Sequence, residues 1–443
     1  MTRLLIGPVL RYVGTTDATV WVETDEACVV EVLGHRERTW SVAGHHYALV
    51  LVTGLAPGSS TEYEVHLDGE RAWPSLRPER GGSRIRTLGD PDQVHLAFGS
   101  CRYGRAAAKL TDKHFDADSL AAFARDLAGR PDDRWPDAML MLGDQVYADE
   151  TSVATRRRIA ARRDIETGAK DQVADFEEYT WLYLESWTDP DVRTRWSYRR
   201  DFGRTRLLMV DSRCGRILAG GTRSMVSKDE FAWIVAQTDG DYDHLLIGTS
   251  LPWLLARSLH DIEAWDERLA AGVAGARLAR FGEWLRRAGD LEHWAAFRES
   301  FEALGRLIAS VGCRANAPAT ICVLSGDVHH AYVARARFAT PVTSAVYQLT
   351  CSPLHNYVPI AMRVFFRVFW SRAAAALVRA LMCVVARAPR TEIDWQRLSG
   401  PFFGNEIAVF ATDGRRAEMV LHKSASAAPD ARLVEVDRQQ LAG

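Results

Sequence analysis

Five short apolar runs in this chain end in the same way, and that repetition constrains the fold more than any other feature. Val94–Phe98 runs into Gly99-Ser100-Cys101, and Ala138–Leu142 into Gly143-Asp144-Gln145-Val146-Tyr147. Arg206–Val210 leads to Asp211-Ser212-Arg213, His244–Gly248 to Thr249-Ser250, and Thr320–Leu324 to Ser325-Gly326-Asp327-Val328-His329-His330. Between them lie segments of helical periodicity, among them Ser119–Leu127, Leu269–Ala288 and Ala295–Val311. Strand runs alternating with helices give an α/β domain with a buried sheet. In open α/β sheets, sites form outside the carboxyl ends of the strands. Cys101, Asp144, Tyr147, Asp211, Asp327 and His329 are therefore expected to converge on one edge. Gly-Asp and Ser-Gly are ordinary turn dipeptides, and one such end would be only a turn. Five in one chain outweigh that reading.

The first 90 residues have a different rhythm. Ala18–Glu23, Cys28–Leu33, Tyr47–Thr53 and Glu62–Leu67 are short runs rich in Val, Leu, Tyr and Thr, separated by Gly, Asp and Pro. They read as a small antiparallel β-sandwich spanning residues 1–90. Gly54-Leu55-Ala56-Pro57-Gly58 followed by Tyr63 resembles the E–F corner of fibronectin type III domains. A polar stretch over 80–92 links it to the larger unit, residues 93–423. Near the end, Glu406–Thr412 and Ala417–His422 flank Asp413-Gly414 as a hairpin, and the Ala/Ser/Pro/Asp-rich tail over 424–443 reads as flexible.

Composition removes several function classes. Net charge is −2 over 443 residues, so no bulk affinity for nucleic acid is expected. Seven Cys without a C-x-x-C pair make no disulfide framework. No signal peptide or twin-Arg pattern opens the chain, and a cytoplasmic location is expected. Val358–Ala388 is apolar but interrupted by Arg363, Arg367, Arg372, Arg379 and Arg387, too often for a span of about 20 residues. It reads as an amphipathic helix packed on the main domain, with an interfacial membrane helix as the second reading. No dinucleotide fingerprint, phosphate-binding P-loop, zincin or serine-hydrolase motif is present.

The strand-end residues are of metal-binding type. Carboxylate and phenolate oxygens suit hard cations, and imidazole and thiolate extend the range to iron or zinc. Two metals sharing a carboxylate can activate water for in-line attack at phosphorus. Asp144, directly after a strand, fits the bridging role. Each residue also has a plainer reading: Cys101 as a buried small residue, Tyr147 as core, His330 as packing. Asp149 and Arg213 are as readily solvated surface as phosphate contacts. Arg156-Arg157-Arg158 with Arg162-Arg163 is a solvated helix face, and His244, His260 and His293 default to structure.

Phe98-Gly99-Ser100-Cys101, Leu142–Asp149, Leu324–His330 and Thr350-Cys351-Ser352-Pro353-Leu354-His355-Asn356 resemble the alkaline phosphatase D (PhoD-like) family of calcineurin-like metallophosphoesterases. The likeness runs from the sandwich to Phe403-Gly404-Asn405-Glu406 and implies an α/β (α+β sandwich) fold. It implies Fe3+ held by Cys101, Asp144, Tyr147 and His329, with Ca2+ sharing Asp144 and touching Asp327. Asp144, Asp327 and His329 would be the catalytic set, and Arg213 and His330 would contact substrate. The implied reaction is hydrolysis of small phosphate mono- or diesters by a metal-activated hydroxide. The chain departs from the family at one place. The superfamily's central Asn-His or Asp-Asp-His motif is absent: no His lies between Tyr147 and His244, and Asn occurs only at 316, 356 and 405. Glu185, Asp189 and Asp191 are the acidic residues nearest that place. An alternative follows: a degenerate relative that binds metal or phosphate with little turnover, with the sandwich binding a protein partner.

Overall fold

The protein is described by a computed structural model covering residues 2–74, 83–89, 93–103, 116–147, 151, 153–166, 168–170, 172–187, 198–213, 216–217, 223–382, 391–425 and 432–443. At the N-terminus, β1 (Leu4–Val13), β2 (Asp17–Thr24), β3 (Val29–Val32), β4 (His35–Arg38), β5 (Trp40–Val42), β6 (His45–Thr53), β7 (Ser60–Glu62), β8 (Val65–Leu67), β9 (Glu70–Trp73) and β10 (Arg84–Arg86) form an antiparallel sandwich. Its main sheets run β1-β2-β6-β5 and β4-β3-β8-β9, with β10 paired to β7. The period-2 pattern explains the core: Ala18, Val20 and Val22 of β2 face Val30 and Val32 of β3 and Val65 and Leu67 of β8, with Tyr63 buried among them. The sandwich is tied to the larger unit by Arg86, which donates from Nη1 to the Trp135 carbonyl at 2.9 Å. Arg200 also lies over the Tyr12 ring.

The larger unit holds two sheets packed face to face. β11 (Gln93–Gly99), β12 (Ala138–Met141), β20 (Glu406–Asp413), β21 (Arg416–Ser424) and β22 (Leu433–Ala442) make one, in the order β12-β11-β20-β21-β22. The other comprises β13 (Arg199–Phe202), β14 (Thr205–Met209), β15 (His244–Gly248), β16 (Thr320–Ser325), β17 (Ala331–Phe338), β18 (Ala345–Thr350) and β19 (Ile393–Phe402), in the order β13-β14-β15-β16-β18-β17-β19. β14, β15, β16 and β18 are parallel, as the strand–helix alternation requires. Leu96, Phe98, Leu246, Cys322, Leu349 and Phe410 fill the space between the sheets. All five strands with the repeated ending are present.

Helices cover both outer faces. Leu120 and Phe123 of α1 (Ser119–Ala128) lie against Ala97 and Ile407 of the five-stranded sheet. The Asp118 carboxylate caps α1 by accepting from the Leu120 and Ala121 amides. α2 (Val153–Arg162) and α3 (Phe176–Trp187) are bridged by Arg163 Nε and Glu178 Oε1 at 2.7 Å. α4 (Lys228–Gln237), α5 (Arg257–Ala270), α6 (Ala276–Ala288) and α7 (Arg298–Gly312) belong to the other side. There Trp253, Trp294, Phe301 and Ile308 pack on Leu208, Ile247 and Val323.

Three expectations need correction. The segment 269–288 is not one helix, because Gly272 and Gly275 adopt positive φ and separate α5 from α6. Val358–Ala388 is broken at Trp370-Ser371 into α8 (Ile360–Phe369) and α9 (Arg372–Met382). The tail is not wholly loose: β22 pairs along β21, Leu441 is buried, and Tyr347 Oη donates to its carbonyl at 2.9 Å. The Ala/Ser/Pro composition of residues 424–431 masked the strand beyond it. No helix among the described residues is long and apolar enough to cross a membrane.

Candidate metal centre

The carboxyl ends of β11, β12 and β16 meet where the two sheets approach each other. The Leu142 amide donates to Gly99, Cys101 to Gly143 and Arg102 to Asp144, closing the two strand ends together. β16 is joined to them through Ser100, whose Oγ accepts from the Asp327 amide at 3.0 Å. Gly326 is required here, since a Cβ on it would lie 1.8 Å from Ser100 Oγ. Cys101, Asp144, Asp327 and His329 all have positive φ, between 50° and 72°. Among the described residues only five other non-glycine residues share that region. Backbone held there in four clustered polar residues is a mark of sites rather than of packing.

The side chains converge as well. Ligand atoms of Cys101, Asp144 and His329 lie within 4.8 Å of one another. Cys101 is fully buried and its Sγ donates to Asp144 Oδ2 at 3.3 Å. Tyr147 shares a hydrogen bond with Cys101, and its hydroxyl accepts from Asn356 Nδ2 at 2.9 Å. The Asn405 side chain accepts from the Asn356 amide and so holds that loop. His329 is fixed by its own amide, which donates to Ser352 Oγ at 3.1 Å. A thiol, a carboxylate, an imidazole and a phenol in one partly buried cluster suit a transition metal such as iron.

Asp327 faces Asp144 from the other side, but the cation that meets both carboxylates is Arg213. Its Nη2 is 2.9 Å from Asp327 Oδ1 and 3.6 Å from Asp144 Oδ1. Nη1 is held by Glu292 Oε1 at 2.6 Å, and Arg216 takes the other oxygen of Glu292 at 2.6 Å. The described residues therefore present a guanidinium at this side, not an open oxygen cage, and calcium does not fit them as arranged.

Electrostatics follow from that crowding. Burial first, then the Cys101 and Asp327 charges, push Asp144 up to about 11. At Asp327 burial acts in the same direction, but the hydrogen bond from Asp144 and the Arg213 charge outweigh it and hold the carboxyl low. Burial and the Asp327 charge also raise the Cys101 thiol, and burial raises the Tyr147 phenol. Without a metal the cluster thus retains protons, which a cation would displace.

Several residues behave otherwise than the sequence suggested. His330 does not face the cluster: it is 2% exposed, its ring lies tilted against Phe366 at 4.5 Å, and its Nε2 accepts from Trp370. Burial pushes it down to about 3, so the expected substrate contact is corrected to a core role. Asp211 accepts from the Arg213 amide and shapes that turn. Asp149, Asp189 and Asp191 lie outside the described residues. Glu292 and Arg216 carried no motif, and neither did His293, whose Nδ1 is 2.6 Å from buried Glu263. The pair Arg102–Asp118, buried at 2.8 Å next to Cys101, was also unmarked in the sequence.

Comparison with known proteins agrees with the geometry at the level of fold. Residues 1–85 match the model of a domain of unknown function, DUF7800. No curated protein matches the sequence. A solved structure titled "Structure of PhoD" superposes with a TM-score of 0.56 at 12% identity, over 98% of this chain and 90% of that one. At that identity the likeness extends to the fold alone: the chain has a PhoD-like fold.

Proposed function

We propose that this chain is a metal-dependent phosphoesterase with one resident transition metal. The observation that carries the reading is the convergence of Cys101, Asp144 and His329 within 4.8 Å at the ends of three strands. Tyr147 would complete the ligand set. A metal bound there would supply Lewis-acid charge at the phosphoryl group and lower the pKa of water. Arg213 is the residue placed to hold the substrate: Glu292 fixes one edge of its guanidinium and leaves Nη2 toward the acidic pair, where a phosphoryl oxygen can be bound. Asp327 in turn orients Arg213.

A second reading rests on the same arginine. A guanidinium that is already paired with Asp327 and set beside Asp144 is compatible with a degenerate relative that binds metal or phosphate and turns over little. In that case the N-terminal sandwich is proposed as the working part, binding a protein partner. Purified full-length chain supplied with iron and calcium, assayed on p-nitrophenyl phosphate and bis(p-nitrophenyl) phosphate, separates the two. Turnover well above an Asp144→Asn blank supports the enzyme. Activity equal to the blank, in folded and iron-loaded protein, rejects it in favour of the binding protein.

A further inference from the structure

The hairpin α8–α9 combines two features that point to one partner. Residues 358–388 contain no Asp or Glu. The inner side of the hairpin is packed: Phe366 sits on His330 and near Phe403, the Trp370 ring lies 4.7 Å from Tyr332, and Arg379 pairs with Asp261 of α5 at 2.8 Å. The outer side is largely apolar and is left uncovered by the described residues. Ile360, Val364 and Val368 recur at one turn's spacing along α8 and are 76%, 52% and 51% exposed, with Phe365 beside them at 42%. Leu377 and Leu381 repeat the pattern on α9 at 62% and 56%. Scattered apolar residues on a surface mean little, but apolar residues exposed at helical spacing on two successive helices mark an interaction surface.

The second feature lies at the turn between the helices. A pocket of about 630 Å³ is lined there by Trp370, Arg372, Arg257, Arg337 and Arg397, with Asp394 the one carboxylate among the described residues that line it. Four guanidinium groups against one carboxylate leave three positive charges for an anion. A second copy of the chain is a poor occupant, because a two-fold contact would set the arginines of one pocket against those of the other with only one Asp394 from each side to compensate them.

We propose that α8–α9 is an interfacial membrane hairpin, its apolar stripe lying in the headgroup–acyl boundary of an anionic phospholipid bilayer and its arginine pocket receiving a lipid phosphate. Apolar burial and electrostatic attraction to anionic lipid together give such helices their affinity. Because α8 follows Asn356, which holds Tyr147, and Phe366 packs on the neighbour of His329, docking would keep the candidate metal centre beside the membrane surface.

The test is flotation of the full-length chain with vesicles of phosphatidylcholine alone and with about 30% phosphatidylglycerol, a fraction that gives the surface an attractive potential. Two variants accompany it, Val364→Asp/Val368→Asp on the exposed stripe and Arg372→Gln/Arg397→Gln in the pocket, each checked for wild-type circular dichroism and melting. The expected result is at least about tenfold stronger partitioning to the anionic vesicles. Binding should be lost in the aspartate variant and fall about fivefold per arginine removed. Absence of wild-type binding to either vesicle overturns the proposal, as does undiminished binding by the aspartate variant. Sedimentation as a dimer that the aspartate variant dissociates, without vesicle binding, assigns the face to a second copy instead.

Discussion

Gly326→Ala probes how tightly the candidate centre depends on the approach of its strands. The added Cβ would stand 1.8 Å from Ser100 Oγ and 2.1 Å from Ser100 Cβ. Rotating the serine side chain relieves the first overlap and leaves the second. To restore ordinary carbon–carbon contact, the end of β16 must therefore move away from β11 by roughly 1.5 Å. Overpacking of this kind costs about 1–3 kcal/mol. The hydrogen bond from the Asp327 amide to Ser100 Oγ, worth about 1 kcal/mol, is lost with it. Asp327 and His329 move with β16 while Cys101 and Asp144 stay on β11 and β12, so iron affinity should fall together with stability. Iron retained after dialysis, by elemental analysis, and the melting temperature are the two readouts. Ser100→Gly in the same chain removes both overlapping atoms, so the double variant should recover much of the iron that Gly326→Ala loses. Wild-type stability and iron content in Gly326→Ala would refute the reasoning, and so would a double variant no better than the single one.

Two further outcomes rest on buried charge. Asp118→Asn breaks the Arg102–Asp118 ion pair at a site where both side chains are nearly inaccessible, and should cost up to about 3–5 kcal/mol. Asp118→Ala should cost about 1 kcal/mol more, through the α1 cap; the denaturation midpoints of the two variants, against the wild-type slope, report the difference. Glu406 is fully buried, and burial raises its carboxyl from 4.5 to about 8. Its proton is held more firmly in the folded state, so the stability linked to it is fully present below pH 4.5 and lost as pH rises through 8. Glu406→Gln should therefore gain on the wild type by about 1.4 kcal/mol per pH unit across that window. A stability difference that stays flat from pH 5 to pH 8.5 would contradict the burial argument.

The sequence made the strand ends legible because two local signals coincide there: an apolar run of strand length, and a turn residue followed by a metal-competent side chain. Cys101, Asp144 and His329 could be named from those signals without knowing how the sheets stack. What stayed hidden depends on distant partners. Glu292 lies in a loop with no motif, and only the fold brings it to Arg213, 79 residues away. His330 has the same residue type as His329 next to it, yet the left-handed backbone at His329 precedes a side chain that packs on Phe366 and Phe403, which are remote in sequence. The hairpin over 358–382 shows the converse limit. Its composition disclosed an apolar, basic segment, but not which face packs, because that is decided by Tyr332, His330 and Asp261 on other elements.

Arg213 decides between a centre that holds one metal and one that holds two, and its removal separates the two cases by which protein responds to calcium. In the present arrangement its guanidinium pairs with Asp327 and Glu292 and lies beside Asp144. Three carboxylates so close cannot all remain ionised without a cation, and calcium, with its preference for six to eight oxygens, competes poorly against a covalently attached guanidinium. The wild-type chain should then take up one metal ion, and added calcium should leave its melting temperature unchanged. In Arg213→Gln, Glu292 keeps Arg216 while Asp327 and Asp144 lose the guanidinium between them, and calcium should raise the melting temperature in that variant alone. Should Arg213 also grip the phosphoryl group, inorganic phosphate would bind the variant at least about tenfold more weakly, the loss expected for a charge-assisted contact of about 1.5 kcal/mol or more. Two metal ions per wild-type chain, or calcium stabilisation equal in both proteins, would show that the guanidinium yields its place to a second metal.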